Sequence, residues 1–240
     1  MVRVTFAGAG VSSLASEHPA ASVRLLVPSR GASGLVLPTW TGNEYLLADG
    51  TRPALRTFTP CRVDGDAGEL DLEIVLHGDG VVSRWAAGAA PGAPAAVSGP
   101  GRGYAVDDDA AAFLLAGDES AIPAIGQVLA VLPRKCPVQV LIEVAEPGGR
   151  LDLPAHPRGA IEWLDAVPGA PVGDALVAAL IQAPLVEGVR VWAAGEAAAM
   201  QRIRRYLLED RRLPRAQTWV RGYWKHGRAG DADDDDRPGG

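Results

Sequence analysis

Two periodicities divide the chain. Up to about residue 110, apolar side chains recur at every second position: Val2, Val4 and Phe6 alternate with Arg3 and Thr5, and Leu70, Leu72, Ile74 and Leu76 alternate with Asp71, Glu73 and Val75. That spacing turns one face of a strand inward. Val23, Leu25 and Val27 make a third such segment, and the glycines, prolines and aspartates in between supply turns. A small antiparallel barrel or sandwich is the expectation.

Beyond that point short apolar strands give way to helical stretches, the alternation expected of a parallel α/β sheet. Phe113, Leu114 and Leu115 form a strand, and Ile122, Ile125, Leu129 and Leu132 then share a helical face before Pro133. Val138, Val140, Ile142 and Val144 give the next strand, and Val189, Val191 and Trp192 another. A last helix sets Met200, Ile203 and Leu207 opposite Arg202, Arg205 and Glu209. The predicted organisation is an antiparallel β barrel over 1–108, an α/β domain over 109–230, and a tail over 231–240 whose five aspartates lack apolar anchors and which is expected to be disordered.

With 240 residues, 48% of them apolar, the chain can bury one large core or two modest ones. Its net charge of −6 argues against a nucleic-acid partner, which needs clustered Lys and Arg. The two cysteines, Cys61 and Cys136, have no spacing suited to zinc or an iron–sulfur cluster. Neither a basic, apolar leader nor a run of roughly 20 apolar residues is evident, so a cytoplasmic protein without a membrane partner is expected.

Five blocks then stand in order along almost the whole chain: LPTWTGNEYLLADGTRPALRTFTPCRVD over 37–64, VLHGDGVVSRWA over 75–86, LLAGDESAIPAIG over 114–126, VWAAGEAAAM over 191–200 and GYWKHG over 222–227. Together they resemble the siderophore-interacting proteins, FAD-dependent members of the ferredoxin-reductase-like flavoproteins. The resemblance implies an antiparallel FAD-binding barrel followed by a parallel-sheet nicotinamide-binding domain. It also implies FAD as cofactor, NADPH or NADH as donor with ferredoxin as an alternative partner, a ferric siderophore as substrate, and a monomer. The implied reaction is reduction of siderophore-held iron(III) to iron(II). A flavin-free siderophore-binding protein and a general NAD(P)H:flavin or quinone reductase are the alternatives.

Residue by residue, the resemblance assigns Arg56 to the FAD pyrophosphate, Phe58 to a wall against the flavin and Thr59 to its reactive edge, with Thr57 beside them. An anionic diphosphate and a flat ring do call for a cation, an aromatic wall and hydrogen-bond partners. Read alone, these four residues equally suit an edge strand with a surface arginine. His77 and Gly78 precede a turn, after which Ser83 opens a short helix ending near Gly88 whose start suits phosphate oxygens; as bare residues, Ser83 is a helix cap and His77 a turn histidine. Gly117, Asp118, Glu119 and Ser120 fall where a strand meets a helix, the place of the nicotinamide cofactor in the family. Their acids equally suit helix capping. Gly195 and Glu196 repeat that geometry, and Arg202, Arg204 and Arg205 are candidates for a ribose phosphate only by nearness in sequence. Tyr223, Trp224 and Lys225 are assigned to the siderophore, with a terminal strand as the structural alternative for the two aromatics.

Departures from the family pattern are Phe58 in place of a common tyrosine, Val81 and Val82 before the serine, and Cys61 where arginine is frequent, with Arg62 a candidate to compensate. The chain also opens near what resembles the family's second strand, so that either the start is late or the barrel lacks an edge.

Overall fold

The computed structural model describes residues 1–32, 34–76 and 80–227. His77, Gly78 and the 231–240 tail lie outside the described residues. The chain divides into two units, Met1–Ser16 with Ala21–Arg102, and Glu17–Ala20 with Gly103–Gly240.

In the first unit every strand pairing is antiparallel. β1 (Val2–Ala7), β7 (Glu69–Ile74) and β6 (Pro60–Asp64) form one sheet in the order β1-β7-β6. β5 (Leu55–Phe58), β2 (Val23–Leu26) and β8 (Ala96–Ser98) form a second in the order β5-β2-β8, and β3 (Thr39–Trp40) with β4 (Tyr45–Leu46) makes a small hairpin. The period-two apolar residues close the core: Val23, Leu25 and Val27 pack with Leu70, Leu72 and Ile74 and with Val82 and Ala86 of helix α1 (Val81–Gly88). Leu76 falls beyond the end of β7 and is exposed, because the strand stops at Ile74.

The other face of the first sheet is laced by charge. Arg3 donates to Glu73 at 2.6 Å and Thr5 to Asp71 at 2.7 Å. Arg62 reaches Asp71 at 2.9 Å, Asp64 at 3.0 Å and Glu69 at 2.6 Å. Arg62 is thus held by three carboxylates and is not free to replace an arginine missing at Cys61. Its guanidinium, helped by the Thr5 hydroxyl, holds the Asp71 carboxyl below the usual carboxylate range.

The second unit is a five-stranded sheet in the order β11-β10-β9-β12-β13, parallel throughout: β9 (Ala112–Asp118), β10 (Val138–Val144), β11 (Gly159–Asp165), β12 (Val189–Glu196) and β13 (Thr218–Trp224). Successive residues of a strand feed opposite faces. Phe113, Leu115, Val140, Ile142 and Trp192 join α2 (Ile122–Val131) on one side. Leu114, Ala116, Leu141, Val191 and Ala193 meet α3 (Asp174–Gln182) and α4 (Ala197–Arg205) on the other. Trp192 stacks on Trp219 with centroids 5.0 Å apart and planes 7° from parallel. No described helix is long and apolar enough to cross a membrane.

β11 and α3 had no counterpart in the periodicity. β11 is an edge strand whose side chains are largely exposed, and α3 buries only Leu176, Val177 and Leu180, so neither writes a clear apolar rhythm. Because β9 is central and the chain next adds β10 and β11 on one side and β12 and β13 on the other, the order reverses between β9 and β12. In an open α/β sheet that reversal opens a crevice at the carboxyl ends of the strands.

Two outcomes follow. Leu72→Ala empties a fully buried site and should cost about 2–5 kcal/mol in a denaturant melt. Asp71 is held below its unfolded value, so its contribution is complete above the ordinary carboxylate pKa of about 3.9 and is lost as pH falls through the lower folded value. Arg62→Ala should therefore lower the thermal midpoint most near neutrality, and the gap to the parent should narrow in acid; a gap independent of pH would contradict this.

Candidate functional sites in the two units

In the first unit, β5 carries Arg56, Thr57 and Phe58, paired across to Leu25, Arg24 and Val23 of β2. Arg56 and Phe58 are half-buried and Thr57 is exposed, as alternation demands, whereas Thr59 is buried because the chain has already left β5. Arg56 donates to the neighbouring Leu55 carbonyl at 2.6 Å and pairs with no carboxylate among the described residues. A half-buried guanidinium in that condition retains donors for an anion.

Helix α1 starts at Val81, two residues before the expected position. Gly80, not Ser83, is its N-cap, with no side-chain hydrogen bond, and its first turn holds no acid. Ser83 lies inside the helix, buried, its hydroxyl 3.3 Å from the Val75 carbonyl. Among the described residues, a β5 cation without a carboxylate partner, the Phe58 ring and a first turn of α1 without an acid are the group types that the diphosphate and ring of FAD call for.

In the second unit, Asp118 ends β9 and Glu196 ends β12, so both stand at the reversal point. Asp118 Oδ1 accepts from the Ser120 amide at 2.9 Å and hydroxyl at 2.5 Å. Its Oδ2 accepts from the Glu196 amide at 2.8 Å and from Trp224 Nε1 at 2.8 Å. Burial pushes this carboxyl above its ordinary value, while the four donors pull the other way by favouring the ionised form. Glu196 Oε2 accepts from the Ala199 amide at 2.9 Å, capping α4, and Oε1 accepts from the His226 amide at 3.2 Å. Glu119 takes the Ala145 amide at 3.0 Å. The acids at this crevice are therefore engaged by protein donors, the capping role that their position also allowed.

The two glycines are explained by close packing. A Cβ on Gly117 would lie 2.5 Å from Ala121 Cβ and 2.8 Å from the Ala194 carbonyl, so this glycine lets strand and helix approach. One on Gly195, at φ 155°, would lie 2.5 Å from the Asp118 carboxylate.

Sequence reasoning missed Glu143, buried near the end of β10, which accepts from the Gly173 amide at 2.9 Å and the Leu176 amide at 2.8 Å and so fixes the start of α3. An acid near the end of an otherwise apolar strand, VQVLIEV, was its signal. Arg202 pairs with Asp174 and Arg204 donates to the Val220 carbonyl, so both are tied to neighbouring elements, while Arg205 is exposed. Tyr223 packs half-buried against the core, edge-on to Trp192 at 6.5 Å, whereas Trp224 and Lys225 are exposed. Burial pushes the Cys61 thiol up to about 12, and Cys136 is buried, its Sγ 2.9 Å from the Ala110 carbonyl.

Residues 1–104 match the siderophore-interacting FAD-binding domain and residues 110–227 the siderophore-interacting protein domain. A siderophore utilization protein from T. fusca, solved as a crystal structure, is 36% identical, with a TM-score of 0.82 over 94% of this chain and 87% of that one. The chain belongs to the siderophore-interacting protein family. Ferric vibriobactin reductase ViuB of Vibrio cholerae is 27% identical over 241 residues, 99% of this chain and 88% of ViuB. Phthalate dioxygenase reductase shares the fold, at 14% identity and a TM-score of 0.54 over 90% of this chain and 60% of that one. The architecture is thus ferredoxin-reductase-like, antiparallel sheets followed by a parallel one, as the five blocks implied.

Gly195→Ala must either displace Asp118 or abandon its backbone angle, and should lower stability by about 1–3 kcal/mol in a thermal or denaturant melt. An unchanged midpoint would show that the turn has room the geometry denies it.

Proposed function

We propose that this chain is an FAD-dependent reductase that uses NADPH or NADH to reduce iron(III) held by a siderophore. The observation that carries the reading is Arg56: a half-buried cation on a strand of the FAD-binding-type unit, without a carboxylate partner among the described residues. The likeness to ViuB, named a ferric vibriobactin reductase, supports the choice of acceptor.

Arg56 would hold the FAD diphosphate with the start of α1, and Phe58 would wall one face of the ring, with Thr57 and Thr59 as hydrogen-bonding neighbours. Bound FAD would supply the adapter chemistry, accepting a hydride equivalent from nicotinamide and passing electrons singly to iron. The crevice between β9 and β12 would receive the nicotinamide nucleotide, its shape set by Gly117 and Gly195 and its floor by Asp118, Glu119, Ser120 and Glu196. Trp224 and Lys225 would meet the ferric complex, with Tyr223 supporting them from the core; many such complexes are anionic and aromatic, which suits a cation beside an indole. Hard siderophore oxygens hold iron(III) better than iron(II), so reduction loosens the complex. The chain needs no acid, base or nucleophile for this. Its residues bind and orient.

Titration of apoprotein with FAD, followed by flavin fluorescence, tests the first step. Arg56→Ala removes charge-assisted bonds worth about 1.5–3 kcal/mol and should weaken FAD binding by about 10- to 150-fold. Unaltered affinity would remove the basis of the assignment. The holoprotein should bleach with NADPH or NADH and recover its colour on addition of a ferric siderophore.

A further inference from the structure

The side chains of Asp118 and Glu196 do more than cap their helices. Each has one oxygen turned to local backbone, Ser120 for Asp118 and Ala199 for Glu196. The other oxygen of each reaches the end of β13 or the residues just past it: Asp118 Oδ2 takes the Trp224 indole N–H at 2.8 Å, and Glu196 Oε1 takes the His226 amide at 3.2 Å. The Trp224 and His226 rings meet edge-to-face at 6.3 Å. Lys225 lies between these two anchored residues, exposed and without a carboxylate partner among the described residues.

We propose that Asp118 and Glu196 are positioning residues that clamp 224–226 from both sides and so hold Lys225 as a fixed cation for an anionic ferric complex. The inference rests on the reading of Lys225 as a substrate contact and deepens it. Both carboxylates are buried and filled by donors, so their charge is satisfied within the protein, while the ammonium between the anchors stays open to solvent. A lysine on a tethered segment gives up less freedom when it meets its ligand than one on a loose end. It also places its charge at one position, which favours an anionic complex over a neutral one of similar size. The clamp joins the ends of β9 and β12 to the end of β13, so three segments at the crevice together set where Lys225 stands.

The test compares a trianionic iron(III) tris-catecholate with a neutral iron(III) trihydroxamate, binding being read by equilibrium dialysis with radioiron on the FAD-loaded full chain. Lys225→Ala should weaken the tris-catecholate and leave the trihydroxamate unchanged, and Lys225→Arg should restore most of the loss. Trp224→Phe keeps an aromatic ring but loses the N–H, and should weaken the tris-catecholate about three- to tenfold, with no effect on the neutral complex. Glu196→Gln, which keeps the shape but can accept from only one of the Ala199 and His226 amides, should do the same and stands in if Trp224→Phe lowers the thermal midpoint. In the Trp224→Phe/Lys225→Ala double variant the two losses should not add, because the first acts through the second. Additive losses, or equal weakening of both complexes, would overturn the clamp while leaving Lys225 as a contact. Indifference of both complexes to Lys225→Ala would overturn the substrate assignment and the clamp with it.

Discussion

A carboxylate can be buried only if its lone pairs are filled, and in the second unit that condition falls on Asp118. Four donors from three segments meet its two oxygens: the amide and hydroxyl of Ser120, the amide of Glu196 and the indole of Trp224. The requirement propagates. Gly195 has to lack a side chain because the carboxylate occupies the space, and Glu196 has to enter α4 at the spot where its amide faces Asp118. The carboxyl ends of β9, β12 and β13 are thereby fixed relative to one another. Glu143 applies the same principle one strand away, fixing the start of α3. A parallel sheet gathers its helix starts at one end, and buried acids are an economical means of satisfying the amides collected there.

The first unit shows how partners decide what a charged residue can do. Arg56 and Arg62 stand on successive strands. Arg62 is enclosed by Asp64, Glu69 and Asp71 on the outer face of its sheet and acts in the fold. Arg56 meets only a main-chain carbonyl among the described residues. The two are chemically identical, and of the pair only Arg56 is left without a carboxylate partner among the described residues.

Much of this was legible from the amino acids. Alternation located β1, β2 and β7, and the helical faces of α2 and α4 were visible because Ile125, Leu129, Met200 and Ile203 repeat at helical spacing over enough turns. β11 and α3 escaped because an exposed edge and a short helix leave weak rhythms, and the start of α1 was misplaced because a serine after glycines looks like a cap. That Asp118 and Glu196 stand where strands meet helices was legible. Their bonding was not: whether Asp118 faces a ribose or an indole depends on a residue 106 positions away in the chain, and no local pattern encodes that. The same holds for Arg62, whose partners are Asp64 on its own strand and Glu69 and Asp71 on the strand beside it.

The two cysteines have a bearing on how the chain meets oxidants. Cys61, with its thiol raised to about 12, stays protonated at neutral pH, and Cys136 is shielded in the core. A cysteine reacts quickly with peroxide only as an accessible thiolate. Neither cysteine therefore presents an exposed thiolate to a passing oxidant.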